Sequence, residues 1–221
     1  MDFLYSIVDF FVSGGIFMYP ILAVFAVGAA ISIERYITLT RITSRNQSAW
    51  EKLQVPLVAG DFDKARELAR EDESAISKLL AMGLDRQGAV RRREDIEIAM
   101  EESMMEIIPQ LEKRTPYIAL FANISTLLGL LGTITGLISA FTAVANANPA
   151  EKADLLSASI SVAMNNTAFA LMVAIPFLLI HAFLQARASE IVDSLEAAKI
   201  TFLNLVQRLG VDLTAKDNRT V

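Results

Sequence analysis

The run Leu120-Phe121-Ala122-Asn123-Ile124-Ser125-Thr126-Leu127-Leu128-Gly129-Leu130-Leu131-Gly132-Thr133-Ile134-Thr135-Gly136-Leu137 decides the fold. It has no charge, and its apolar residues do not alternate as a half-buried strand would require. On a helical wheel of about 100° per residue, Ser125, Thr126, Gly129, Gly132, Thr133, Gly136, Ser139 and Ala140 fall within roughly 140° of arc. Leu127, Leu131, Ile134, Ile138 and Phe141 take the opposite side. The stretch therefore predicts a helix with one bulky, lipid-like side and one small, hydroxylated side. The run sits in a gap between Arg114 and Glu151 that contains no charged residue. Such a gap exceeds the roughly 20 apolar residues a spanning helix needs.

Two further gaps of this kind lie between Asp9 and Glu34 and between Asp154 and Arg187. The chain is thus expected to be an all-α membrane protein with three transmembrane helices and long helices extending into a helical cytoplasmic region. In the third gap Ala163, Thr167, Ala170, Ala174 and His181 follow one helical face, flanked by Ser159 and Asn166. Gly132-xxx-Gly136 is a spacing at which helix backbones pack closely. Packing alone is one reading of both faces, assigning it to Gly129, Gly132, Gly136, Ala163, Ala170 and Ala174. The other is an ion path lined by hydroxyls and amides, because polar groups at membrane depth are costly and tend to be functional. Pro176 is expected to kink the third span.

Working outward gives the domain plan. Residues 1–13 read as an amphipathic helix on the outer face, with Asp2, Ser6, Asp9 and Ser13 as its polar stripe. Residues 14–34 form the first span, 35–115 a cytoplasmic helical region, 116–144 the second span, and 145–155 a short periplasmic connector. Residues 156–184 form the third span, and 185–221 a cytoplasmic C-terminal helix whose polar end, from 210, is expected to fray. Arg35, Arg41, Arg45 and Lys52 follow the first span, Lys113 and Arg114 precede the second, and Arg187 and Lys199 follow the third. The short connector has only Lys152. The bias of basic residues puts the N-terminus outside and the C-terminus inside. No basic residue precedes the first span, so it does not read as a cleaved signal peptide.

Within 35–115, Asp61 is placed to cap a helix over 62–70, and Ser74 another through Leu84. A third helix from Arg93 carries Ile96, Ala99, Met100, Met104, Ile107 and Leu111 at helical spacing. It is expected to run on into the second span, kinked at Pro109, with Pro116 marking the junction. Trp50, the one tryptophan, reads as a packing anchor, and Arg91-Arg92-Arg93 with Glu94-Asp95 as a solvated or inter-subunit face. There is no cysteine, phosphate-binding glycine loop or His-Glu-xx-His pattern, so the residues offer no set for metal, nucleotide or nucleophilic chemistry. The reading is not an enzyme, and no cofactor is expected.

The run Leu128-Gly129-Leu130-Leu131-Gly132-Thr133-Ile134-Thr135-Gly136-Leu137 resembles the second-span signature of the MotA/TolQ/ExbB family. Residues 159–176, Ser159-Ile160-Ser161-Val162-Ala163-Met164-Asn165-Asn166-Thr167-Ala168-Phe169-Ala170-Leu171-Met172-Val173-Ala174-Ile175-Pro176, resemble its third-span signature. Three spans match the ExbB and TolQ branch rather than the four-span MotA branch. The resemblance implies a stator-like subunit of an inner-membrane motor. Identical subunits would form a ring, usually a pentamer, around single-span helices of an ExbD/TolR/MotB-like partner with an intramembrane Asp. Ion flow would drive work such as energised transport across the outer membrane. By the same resemblance Thr133 and Thr167 match the family's pore-facing threonines. The residues themselves add Thr126, Ser159, Asn166 and His181 as ion-pathway candidates, His181 being either a proton relay at the pore exit or an interfacial residue whose polar tip reaches headgroups or water. One departure stands out: the family's third-span Glu, five residues before the matching Thr, is here Val162. The ring then has no carboxylate of its own. Protons remain the commoner coupling ion, and sodium is the alternative. A non-conducting oligomeric scaffold is the competing function.

Overall fold

The computed structural model describes residues 10–11, 14–89, 93–145 and 147–217, and the described regular structure is entirely helical. From Met18 on, the described residues form α1 Met18–Ala59, α2 Phe62–Glu71, α3 Ala75–Ala89, α4 Arg93–Glu112, α5 Thr115–Ala145 and α6 Lys152–Asp217. Stretches long and apolar enough to cross a membrane lie within Met18–Ala59, Arg93–Ala145 and Lys152–Arg208. The expected helix over 1–13 falls outside the described residues except for Phe10 and Phe11, which are helical.

The chain divides into two compact units, one of residues 1–35 and 114–183, the other of 36–113 and 184–221. In the first, α5 and the start of α6 present Leu127, Leu130, Ile134, Ile138, Phe141, Met164, Met172 and Leu179 outward. Large apolar side chains that stay exposed on helices of this length are what a lipid-facing surface requires. Its interior is built from small residues and a few large ones. Phe177 stacks on Phe25 with ring centroids 5.9 Å apart. The ring edge lies over Gly28, where a β-carbon would come within 2.6 Å of Phe177 Cζ. Gly28 therefore makes room for the largest buried side chain of this unit, and Ser32 donates back to the Gly28 carbonyl at 2.8 Å.

The second unit is a helical bundle around Leu53, Leu57, Leu79, Leu80, Leu84, Ile96, Met100 and Phe202, all fully buried. α1 ends in a Schellman motif. Gly60, at φ 76°, donates to Leu57 O at 3.2 Å, and Asp61 N donates to Pro56 O at 2.9 Å. Asp61 then caps α2 by accepting from Lys64 N at 3.1 Å, as its place in the sequence predicts. Ser74 caps α3 the same way, accepting from Ser77 N at 3.2 Å, and that helix runs five residues past Leu84. Trp50 is half-buried beside a 440 Å³ groove that Asn46, Ile76, Ile191 and Ala198 also line. Arg91 and Arg92 lie outside the described residues; Arg93 donates to Gln207 Oε1 at 2.6 Å.

Two expectations need correction. The helix from Arg93 does not continue into the second span. It stops at Glu112, and a turn at Lys113–Arg114 separates α4 from α5. Arg114 takes φ 69°, a left-handed conformation that no helix can propagate through. Pro116 suits the first turn of α5, where its missing N–H has no intrahelical partner to lose. At the other end, residues 210–217 are helical rather than frayed, continuing α6 to Asp217.

Candidate functional site

The small faces of α5 and α6 meet each other. Gly129, Gly132 and Gly136 recur near one turn apart and oppose Ala170, Asn166 and Ala163 in antiparallel order. A β-carbon at Gly136 would come within 2.9 Å of Ala163 Cβ, and one at Gly132 within 3.1 Å of Asn166 Cβ and Cγ. At Gly129 it would overlap Ala170 Cβ more severely still, with Thr167 Cα at 3.4 Å. Two helices this close gain dispersion contact along the whole seam, the main packing force available where lipid and side chain are equally apolar. Ala163, Ala170 and Ala174 are all buried.

This close approach brings Thr133 and Thr167 together. Their hydroxyls are hydrogen-bonded to each other. Both also reach the Gly129 carbonyl, Thr133 Oγ1 at 3.1 Å and Thr167 Oγ1 at 3.2 Å, and Thr133 Oγ1 lies 3.4 Å from Ala163 O. Each hydroxyl has one proton to donate and two lone pairs. Both threonines are partly exposed, so the pair is at the edge of the seam rather than sealed within it. No Asp, Glu, Lys or Arg occurs in 115–150 or 155–186.

Asn166 is 2% exposed, and its Oδ1 receives no hydrogen bond. The remaining candidates are not gathered at the pair. Thr126 is exposed and bonds its own helix, donating to Ala122 O at 3.1 Å. Ser159 and His181 are half-buried, one turn before Ala163 and one turn after Phe177. Pro176 is exposed inside α6. The sequence reading did not single out Ser125 as a site residue. It is fully buried with an unpaired hydroxyl, and its place one turn before Gly129 was the available signal.

A charged cluster ends the membrane unit: Arg114 Nη1 pairs with Glu34 Oε2 at 3.3 Å, and Arg35 is buried. In the second unit, Asp72 sits below the usual carboxylate range. Burial alone would raise it, but hydrogen bonds from Ser74 and the charge of Lys52 outweigh that.

Three membrane-length apolar helices, two of them joined by a glycine–alanine seam that holds paired hydroxyls, mark a multi-pass membrane protein. Residues 71–197 match the model of the MotA/TolQ/ExbB proton channel family, and the chain belongs to that family. It is 25% identical over 202 residues to a biopolymer transport ExbB homologue of Methanothermobacter thermautotrophicus, covering 90% of this chain and 70% of that one. An ExbB-like biopolymer transport protein of Synechocystis is 26% identical over 193 residues, 85% of this chain and 74% of its own. The Tol-Pal system protein TolQ of Haemophilus influenzae is 34% identical over 93 residues, 42% of this chain and 40% of its own. The role of ion-channel motor subunit follows at the level of the family.

Proposed function

We propose that this chain is the ring-forming subunit of an inner-membrane stator that couples proton flow to mechanical work. Five copies would surround single-span helices of an ExbD/TolR/MotB-like partner, whose intramembrane Asp would carry the ion past Thr133 and Thr167. The N-terminus would be periplasmic and the C-terminus cytoplasmic, in keeping with the basic residues around the spans. The work would be energised transport across the outer membrane or a related envelope task.

The observation that carries this reading is the hydroxyl pair. Packing accounts for Gly129, Gly132 and Gly136, and the two threonines add hydroxyls bonded to one another across the seam and to backbone carbonyls. A scaffold could use the same seam with valine at both positions. Hydroxyls that donate and accept suit proton transfer along hydrogen bonds, and their lone pairs also suit a sodium ion. Sodium is the second reading, favoured by the absence of any carboxylate at Val162.

The test reconstitutes the chain with its single-span partner in liposomes and imposes a proton or a sodium gradient. Internal acidification that is lost in Thr167→Val supports the proposal. Sodium uptake at constant pH replaces the proton by sodium, and an intact complex that passes neither ion under any gradient supports the scaffold.

A further inference from the structure

Asn166 directly precedes Thr167 of the threonine pair. Its amide packs flat on Gly132, with Cβ, Cγ and Nδ2 at 3.1, 3.1 and 3.2 Å from where a Gly132 β-carbon would stand. A larger residue than glycine at 132 would meet the amide, so the seam is shaped to hold it. Oδ1 is buried and accepts nothing. A buried carbonyl oxygen without a donor is a costly feature in a helix seam, and it recurs in sites built to receive something positive. Its neighbours in sequence and across the seam, Thr167 and Thr133, already bond each other and backbone carbonyls. No fixed cation of this stretch can supply the positive end, since 155–186 contains no Lys or Arg.

We infer that Asn166 Oδ1, with the Thr133 and Thr167 hydroxyls, forms a neutral oxygen cradle that selects a small monovalent cation, doing without charge what a ring carboxylate at position 162 would do with it. The inference rests on the channel reading above and names the ring's own contribution to it. Hydronium and sodium share the required chemistry, because each takes lone pairs from amide and hydroxyl oxygens in place of water. A neutral cradle binds more weakly than a carboxylate and adds no titrating group of its own. Asn166 acts here as a specificity-determining ligand, and the backbone approach at Gly132 is what positions it.

The experiment uses the full complex with the single-span partner in liposomes and measures initial flux against external pH and, separately, against sodium at fixed pH. Asn166→Leu keeps the volume and removes the acceptor. The expected result is at least a 10-fold rise in the half-saturating concentration of the transported ion, with the maximal flux much less affected. Asn166→Asp keeps the acceptor and adds a charge. It should lower the half-saturating concentration and introduce a new acid limb in the pH profile. The arm that responds, proton or sodium, identifies the cation. Should Asn166→Leu fail to assemble, Asn166→Asp alone decides, because a merely structural asparagine would not shift the ion dependence in that direction. A wild-type complex that conducts with unchanged half-saturation in both variants overturns this inference and leaves the channel reading standing. A wild-type complex that conducts neither ion overturns the channel reading itself.

Discussion

Gly129→Ala is the substitution in which the structure predicts the largest effect from a single methyl group. The added β-carbon collides with Ala170 Cβ more severely than the 2.9 Å approach expected at Gly136. Carbon atoms pack at about 3.5–4.0 Å, so the helices must separate locally by roughly an ångström or more. Neither side can yield by rotation, since both groups are β-carbons fixed to helical backbone. Overpacking of this kind costs about 1–3 kcal/mol. The better helix propensity of alanine returns up to about 1 kcal/mol, leaving a net loss of about 1–2 kcal/mol. The same displacement pulls Thr167 from the Gly129 carbonyl, now 3.2 Å away, so coupled ion flux should fall with stability. The assay is reversible unfolding in mixed micelles, followed by helicity, on four proteins: wild type, Gly129→Ala, Ala170→Gly and the double variant. The double variant exchanges the two residues across the seam and should recover most of the loss, a coupling of about 1 kcal/mol or more. Gly136→Ala should cost less, and Gly132→Ala least, because its nearest contact, at 3.1 Å, is the loosest of the three. A Gly129→Ala protein as stable as wild type, or one that Ala170→Gly fails to rescue, refutes the seam as described.

Other outcomes follow from local geometry. Arg114→Gly should be more stable than Arg114→Ala by about 1 kcal/mol, because both lose the half-exposed pair with Glu34 while only glycine removes the strain of φ 69°; equal chemical-denaturation midpoints would contradict this. Asp61→Ala should cost about 1 kcal/mol through the lost α2 cap, with Asp61→Asn retaining most of it, read by hydrogen exchange within 62–71. Asp72 has a lowered folded-state pKa, so its stabilising contribution is present above the unfolded value of about 4 and disappears as pH falls through the folded one. Asp72→Asn should therefore be less stable than wild type at neutral pH, and the two should converge below about pH 4; a difference that stays constant across that range would rule out the linkage.

Much of the molecule is legible in its sequence, and the reasons are physical. Spans are visible because a bilayer forbids charge over some 30 Å, so the three gaps between Asp9 and Arg187 mark them directly. The sides of α5 separate on a wheel because lipid exposure tolerates Leu127, Ile134 and Phe141 while a close seam requires Gly129, Gly132 and Gly136. The stripe does not reveal which neighbour it meets: the glycines are matched by Ala163, Asn166 and Ala170 of the same chain. Nor does periodicity separate seam from rim. Thr126 and Thr133 share one sector of the wheel, yet Thr126 is exposed and only Thr133 reaches Thr167. The break after Glu112 was hidden for a similar reason. Arg114 is an ordinary helix former, and its left-handed backbone is imposed by the surroundings rather than by a glycine that could be read in advance. Asn166 looked like a flanking residue because its place over Gly132 depends on the register between two helices, which neither helix encodes alone.

The central claim is that the Thr133 and Thr167 hydroxyls carry ion flow. Its most direct test is proteoliposome flux for four single variants of the complex, Thr133→Val, Thr133→Ser, Thr167→Val and Thr167→Ser. Valine keeps the shape and removes the hydroxyl; serine keeps the hydroxyl and loses a methyl. The account predicts assembled complexes throughout, flux retained in both serine variants and lost in both valine variants. Full flux through a valine variant would contradict it.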